Sequence, residues 1–365
     1  MSSSQLIIGL MSGTSLDGVD AALVDFSGGK PELRASAYLP YDEALRVLVL
    51  HLHQSCSDEL HQSLLLANRL AQIYAQAVHQ LLAQAGVDAS QVRAIGCHGQ
   101  TLRHQPAQGY SLQLNNPSLL AELTGIAVVA DFRSRDIAAG GQGAPLVPAF
   151  HDAMFRQQDC HRVILNLGGI ANLTDLAPGK TTLGFDCGPG NMLLDAWSQR
   201  HLQRAYDEGG QWGASGKRLP ALLERLLAHE FFSMRPPKSC GREQFNLAWL
   251  ENCLQGEEAP ADVQATLVEL TAHSVQQGLS YARGAPAEVY VCGGGAHNAT
   301  LLQRLQALLP QTRVATTEIV GVAPDWVEAI AFAWLAQRTL TSQPGNLPEV
   351  TGARGPRVLG AIYPA

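Results

Sequence analysis

Two similar α/β domains facing one another across a ligand-binding cleft are what the sequence predicts, on three observations. The chain has 365 residues, which is about two domains at ~150 residues each. A strand–polar turn–strand unit opens each half, near residues 5–26 and 162–176. Between the halves, residues 133–148 read RSRDIAAGGQGAPLVP, a glycine- and alanine-rich stretch that marks a boundary or hinge. A repeat of this kind places ligands at the carboxyl ends of the strands, between the domains. The expected domains are 1–133 and 134–340, with 341–365 a candidate to complete the first.

Each element follows from local pattern. The apolar run 5–10, the turn MSGTSLDG and the run 19–26 read as two strands joined by turn formers. Residues 42–53 and 58–85 have helical periodicity, with Ser57 as the N-cap of the second. A strand at 92–97 runs into His98-Gly99-Gln100-Thr101, and a helix at 117–124 precedes a buried strand at 126–131. After a helix at 149–158, strands are expected at 162–167, 171–176 and 181–186, the last ending in the turn CGPGN before a helix at 192–200. Residues 202–253 give no clear pattern. A long amphipathic helix at 261–282, a strand at 288–292, a triple-glycine turn, and helices at 298–309 and 325–337 complete the chain.

Composition narrows the function classes. The net charge is −7, opposite in sign to the basic surface that a nucleic-acid or anionic-membrane partner needs. Charged residues are 16% and hydrophobic residues 46%, which excludes a disordered chain. The seven cysteines form no C-x-x-C pair and are odd in number, and the twelve histidines lack metal-site spacing. Reduced thiols, a cytoplasmic location and no protein-only metal site are therefore expected. The start, MSSSQ, lacks signal-peptide character, and the apolar stretch at 329–336 falls far short of a ~18-residue span.

Several segments have chemistry to offer, each beside a plainer reading. The turn containing Gly13, Thr14, Ser15, Leu16, Asp17, Gly18, Val19 and Asp20 offers backbone N–H groups to phosphate oxygens, or is an ordinary hairpin. It is not a Walker loop, because no Gly-Lys-Ser/Thr follows. Gly168, Gly169 and Asn172 repeat the choice in the second half. Gly293, Gly294 and Gly295, ahead of the N-cap Asn298, suit close approach by a base or ribose, or only close helix–strand packing. Asp186 lies at a strand end and is either a general base or a turn cap. Glu328, in the first turn of a helix, is functional or complements the helix dipole. Arg133 and Asp136 clamp a charged ligand or pair with each other. For His98 and His104, loop placement is the functional hint.

Taken together, GLMSGTSLDGVDAALVDF, AIGCHGQTLRH, ADFRSRDIAAGGQGAPLVP, LNLGGIANLT, GFDCGPGNMLLDAW and VYVCGGGAHN closely resemble the anhydro-N-acetylmuramic acid kinases. The resemblance implies two actin-like (ribonuclease H-like) domains, with ATP bound in the cleft. It implies a homodimer that uses ATP, Mg2+ and water to convert 1,6-anhydro-N-acetylmuramic acid into N-acetylmuramic acid 6-phosphate in peptidoglycan recycling. It makes Asp186 the expected base, 13–20 the phosphate loop, and Arg133, Glu328 and His98 sugar contacts. One departure from the wider superfamily is the absence of an aspartate near the end of the first strand, Ile7-Ile8-Gly9-Leu10, which leaves Asp17 and Asp20 as unsettled metal ligands. Three rivals remain: a kinase of the same fold acting on an ordinary sugar hydroxyl, a non-enzymatic ATP switch, and a glycosidase using Asp186 with Glu328.

Overall fold

The computed structural model describes residues 5–13 and 15–365. Contacts divide the chain into two compact units, Met1–Met154 with Trp326–Ala365, and Phe155–Asp325.

In the first unit, β1 (Leu6–Met11), β2 (Gly18–Asp25) and β3 (Glu32–Pro40) form an antiparallel meander. β4 (Val92–Cys97) then lies parallel to β1, and β7 (Val128–Ala130) parallel to β4. Between them, β5 (Gln100–Gln105) and β6 (Tyr110–Leu114) make a separate antiparallel pair. The last strand, β13 (Ala361–Tyr363), extends the sheet beyond β7 to give the order β13-β7-β4-β1-β2-β3. Successive strand residues face opposite sides, and both sides of β1 are covered. Ile8 and Leu10 join the core around helix Glu59–Ala85, with Leu66, Leu70 and Tyr74. On the other side, Gly9 and Gly96 lie directly under helix Val327–Leu340. A Cβ at Gly9 would stand 1.8 Å from the Ala329 carbonyl oxygen, and one at Gly96 2.1 Å from that of Phe332. Any side chain there would lift the helix.

The second unit repeats the plan. β8 (Arg162–Leu167), β9 (Ile170–Leu176) and β10 (Leu183–Pro189) are an antiparallel meander, and β11 (Glu288–Cys292) and β12 (Arg313–Thr316) follow in parallel from β8. The order β10-β9-β8-β11-β12 matches β3-β2-β1-β4-β7 strand for strand and direction for direction. This is the ribonuclease H-like, actin-like fold, present twice. Helix Pro260–Leu279 packs on β9 and β10 and is buried along most of its length.

The structure differs from the sequence reading in several elements. The strand β3 and the β5–β6 pair were not expected, since half-exposed strands carry little apolar pattern. Asp58, not Ser57, is the N-cap of the long helix. The unpatterned stretch 202–253 contains short helices, among them Pro220–Leu227 and Leu247–Cys253. The boundaries at 133 and 340 also move. Residues 134–154 stay with the first unit, and the returning segment begins at Trp326, because helix Val327–Leu340 covers β1 and β4. The loop 133–148 is tied within that unit. Asp136, fully buried, accepts from Asn346 Nδ2 (2.6 Å), Thr351 Oγ1 (2.8 Å) and Gly143 N (2.8 Å). It pairs with the returning segment rather than with Arg133.

Candidate active site

Asp186 sits inside β10, opposite Asn172, and the register slips between Asp186 and Gly188. The expected strand end is therefore a bulge, a device that re-aims side chains. The segment after Pro236-Pro237 runs alongside it. The Asp186 backbone N–H donates to the Lys238 carbonyl (3.1 Å), and the Cys240 N–H donates to Asp186 Oδ2 (3.0 Å). Oδ1 makes no hydrogen bond to a described residue. Burial pushes the Asp186 carboxyl up to about 6, against the lowering by the Cys240 N–H and the Lys238 charge. A carboxylate with one oxygen anchored, the other available and its affinity raised toward neutrality can take a proton.

Register puts two more polar groups in line. Asn166 pairs with Asn172, and Asn172 with Asp186, so the three side chains share one face of neighbouring strands. Asn172 thus stands beside the carboxylate rather than on the glycine turn. Asn166 Oδ1 is buried with no hydrogen-bond partner among the described residues. Neither Asn166 nor Lys238 was singled out from sequence. The only signal was Asn166 preceding Leu167-Gly168-Gly169, and an isolated Lys after two prolines.

The glycine turns of this unit converge. Gly168 and Gly169 join β8 to β9, and their carbonyls accept from the N–H groups of Gly190, Asn191 and Met192. Asn191 Nδ2 donates to the Leu167 carbonyl (2.8 Å). Gly293 has φ 77°, and a Cβ on it would press within 2.4 Å of Asn166 Oδ1; one on Gly295 would strike Leu167. Those two are needed for packing. Gly168, Gly169 and Gly294 are not, for a Cβ there meets nothing nearer than 3.7 Å. Asn298 caps helix Ala299–Leu308 through Leu301 N (2.9 Å), as expected.

In the first unit, Thr14 lies outside the described residues, and the rest of the loop is firmly based. Leu16 adopts φ 58°, in the left-handed region, with its side chain buried in the core. The Asp17 carbonyl accepts from Tyr41 N (2.9 Å) and Tyr38 Oη (2.8 Å). Ser15 Oγ donates to Asp17 Oδ1 at 2.5 Å, both exposed. Val19 is buried in β2, so it supports the turn from below, and Gly18 admits Leu39 and Tyr38. Gly13 has no such steric duty, its Cβ position lying 3.7 Å from the nearest atom. Beneath the loop, Ser12 Oγ donates to Gln100 Oε1 (2.5 Å), and Gln100 Nε2 donates to the Gly13 carbonyl (3.2 Å).

His98 ties this loop to Arg133. Arg133 Nη2 donates to His98 Nε2 (2.8 Å), so that nitrogen accepts and Nδ1–H donates to the Ser12 carbonyl (3.2 Å). Burial and the facing guanidinium hold the imidazole down at about 3, so it stays neutral. Both ring nitrogens are engaged, which makes His98 a support for Arg133 rather than a surface for ligand. The other arm of Arg133 donates to the Gly143 carbonyl (2.7 Å). Glu328 enters from the first turn of helix Val327–Leu340; burial raises its carboxyl while Arg133 lowers it. Desolvation in turn depresses Arg133 to about 10, with Glu328 and Asp136 opposing. His104, near the exposed end of β5, bonds Ser111 Oγ (3.0 Å) and is lowered chiefly by burial, then by Arg133.

Among the described residues, no group of three His, Cys, Asp or Glu side chains is placed to hold a metal ion. No described helix is long and apolar enough to cross a membrane, and no disulfide joins the described cysteines. A family model described as anhydro-N-acetylmuramic acid kinase matches residues 5–365. Proteins of that name are similar throughout. The one from Nitrosomonas europaea is 56% identical over 98% of this chain and 99% of its own. That from Nitrosospira multiformis is 57% identical over 98% of each, and that from Pseudomonas fluorescens 53% over 98% and 99%.

Proposed function

We propose, from the premise that this chain belongs to the anhydro-N-acetylmuramic acid kinase family, that it opens the 1,6-anhydro ring of anhydro-N-acetylmuramic acid with water. In the same reaction it transfers the γ-phosphoryl group of ATP to O6, giving N-acetylmuramic acid 6-phosphate for cell-wall recycling. Asp186 Oδ1 takes the proton from water as the water oxygen bonds to the anomeric carbon. The C1–O6 bond breaks, O6 bonds to the γ-phosphorus, and ADP departs. The proton then passes from Asp186 to solvent. The observation that carries the reading is the state of Asp186, held by Cys240 N–H on one oxygen and raised to about 6 by burial. General-base assistance of this kind is worth ~10²–10⁴-fold, with positioning supplying much of the rest.

The loop 13–20 and the turns Gly168–Gly169 and 293–295 are assigned to ATP, supported by Gly13, Gly168, Gly169 and Gly294, which internal packing does not require. Arg133, held at a fixed angle by Gly143 and His98, and Glu328 are assigned to the sugar. Among the described residues no carboxylate cage is present; Mg2+ would be held through the nucleotide phosphates. When bound, the ion neutralises phosphate charge; Asp17 and Asp20 are the acidic side chains of the phosphate loop.

Running the reaction in ¹⁸O water and quenching within one turnover tests the reading. Label on the anomeric oxygen, with none bridging carbon 6 and phosphorus, is expected. Unlabelled sugar would identify a kinase acting on an ordinary hydroxyl.

A further inference from the structure

The motif His98-Gly99-Gln100 offers more than a prop for Arg133. Gln100, the first residue of β5, is 1% exposed, and a primary amide buried so deeply needs its hydrogen bonds met. Both ends of that amide are used. Nε2 faces the Gly13 carbonyl (3.2 Å), which can only accept, so Nε2 donates; Oε1 therefore takes the Ser12 hydroxyl hydrogen (2.5 Å). With its one hydrogen spent, Ser12 Oγ accepts from Tyr41 Oη at 2.7 Å. Burial raises the Tyr41 hydroxyl to about 12, so it keeps the proton that it donates. The Tyr41 backbone N–H also holds the Asp17 carbonyl (2.9 Å). Tyr41 thus grips the loop twice, at Ser12 just before it and at Asp17 within it. Gly99, at φ 78°, allows the turn that sets residues 98 and 100 against the consecutive carbonyls of Ser12 and Gly13. A planar trans peptide points its N–H opposite to its C=O. The Ser12 carbonyl is turned in toward His98 Nδ1, so the Gly13 N–H is turned the other way, free to meet an anion.

We propose that Gln100 and Tyr41 are positioning residues for the nucleotide, holding the phosphate loop in its binding shape through Ser12 and the Gly13 carbonyl. The proposal rests on the assignment of loop 13–20 to the ATP phosphates. Gln100, Ser12 and Tyr41 are all buried and uncharged, so they fix the direction of the loop backbone without adding charge beside the phosphates. Their hydrogen bonds have one consistent direction: Tyr41 donates to Ser12, Ser12 to Gln100, and Gln100 to the loop. A loop held this way is ordered before the nucleotide arrives and loses little freedom on binding. A variant whose loop keeps this shape only a tenth of the time binds phosphates ~10-fold more weakly.

The test is calorimetric binding of ADP with magnesium, and separately of the anhydro sugar, to the full-length protein. Gln100→Met keeps an unbranched side chain but removes the donor to Gly13 and the acceptor for Ser12, and the Kd for ADP is expected to rise ~10-fold. Tyr41→Phe removes the hydroxyl and leaves the N–H on Asp17, and a rise of ~3-fold is expected. The Kd for the sugar stays at its native value in both, because Arg133 keeps its bonds to Gly143 and His98. Native ADP affinity in the folded variants overturns the proposal. Equal losses for ADP and sugar, the mark of a merely structural role, overturn it as well. If Gln100→Met does not fold, Tyr41→Phe is read in the same way. Gly13→Val distinguishes the two levels. Weakened ADP binding there, beside native affinity in Gln100→Met and Tyr41→Phe, refutes the positioning residues alone, whereas native ADP binding in Gly13→Val refutes the phosphate loop and the proposal together.

Discussion

At the residue scale, charge placement decides the chemistry. Asp186→Asn keeps an acceptor for the Cys240 N–H but cannot take a proton at neutral pH. Turnover is expected to fall by roughly 10²-fold or more, ~3 kcal/mol in the barrier, while the sugar and nucleotide dissociation constants change little. Calorimetric binding beside single-turnover rates checks this, and equal losses in both would make Asp186 a positioning residue. Arg133 has a different fingerprint. Its two Nη groups bridge Gly143 and His98, a span that a lysine's single ammonium cannot reproduce. Arg133→Lys should therefore raise KM for the sugar by about 10-fold and leave that for ATP alone. The type of each of these residues was readable in sequence, and so was its association with a turn or hinge. Their partners were not: His98 shows itself as the prop of Arg133 only when β1, β4 and the loop 133–148 are brought together. Lys238 and Cys240 come from a stretch whose short helices leave no periodic trace.

At the element scale, the glycines separate into those that packing requires and those that it does not. Gly9→Ala puts a methyl inside the backbone of helix Val327–Leu340, and overpacking of this kind costs ~1–3 kcal/mol or more. Thermal melts should drop by several degrees, and activity should fall with them, because that helix carries Glu328. Gly13→Val meets no packed backbone and should melt near the native temperature, yet lose nucleotide binding. An unchanged ATP affinity in that variant would return the loop to the status of a hairpin. The meanders that open each half were legible because a polar turn between two apolar runs is a short-range signal. β3, half-exposed, and the β5–β6 pair were missed because their residues answer to neighbours distant in sequence, as strand propensity generally does. The bulge at Asp186 was invisible for the same reason: CGPG reads as a turn until β9 is placed beside it.

At the scale of the whole molecule, the placement of helix Val327–Leu340 on β1 and β4 explains why one half can be built from a continuous segment and the other cannot. Residues 155–325 hold their own sheet and core, and expressed alone they should give a cooperative melt. Residues 1–154 lack the helix that covers Gly9 and Gly96, and should fold only with 326–365 supplied; dispersed amide spectra of the fragments decide both points. The sequence reading placed the returning segment at 341–365; contacts start it at Trp326, because the covering helix follows the second unit in the chain yet belongs to the first. The central claim is that one protein joins ring opening to phosphoryl transfer, and the mass of the product tests it most directly. Purified protein given the anhydro sugar, ATP and magnesium should yield one product, heavier than the sugar by a phosphoryl group and a water together, with one ADP formed per sugar consumed. A product heavier by the phosphoryl group alone, or by water alone and without need of ATP, would contradict it.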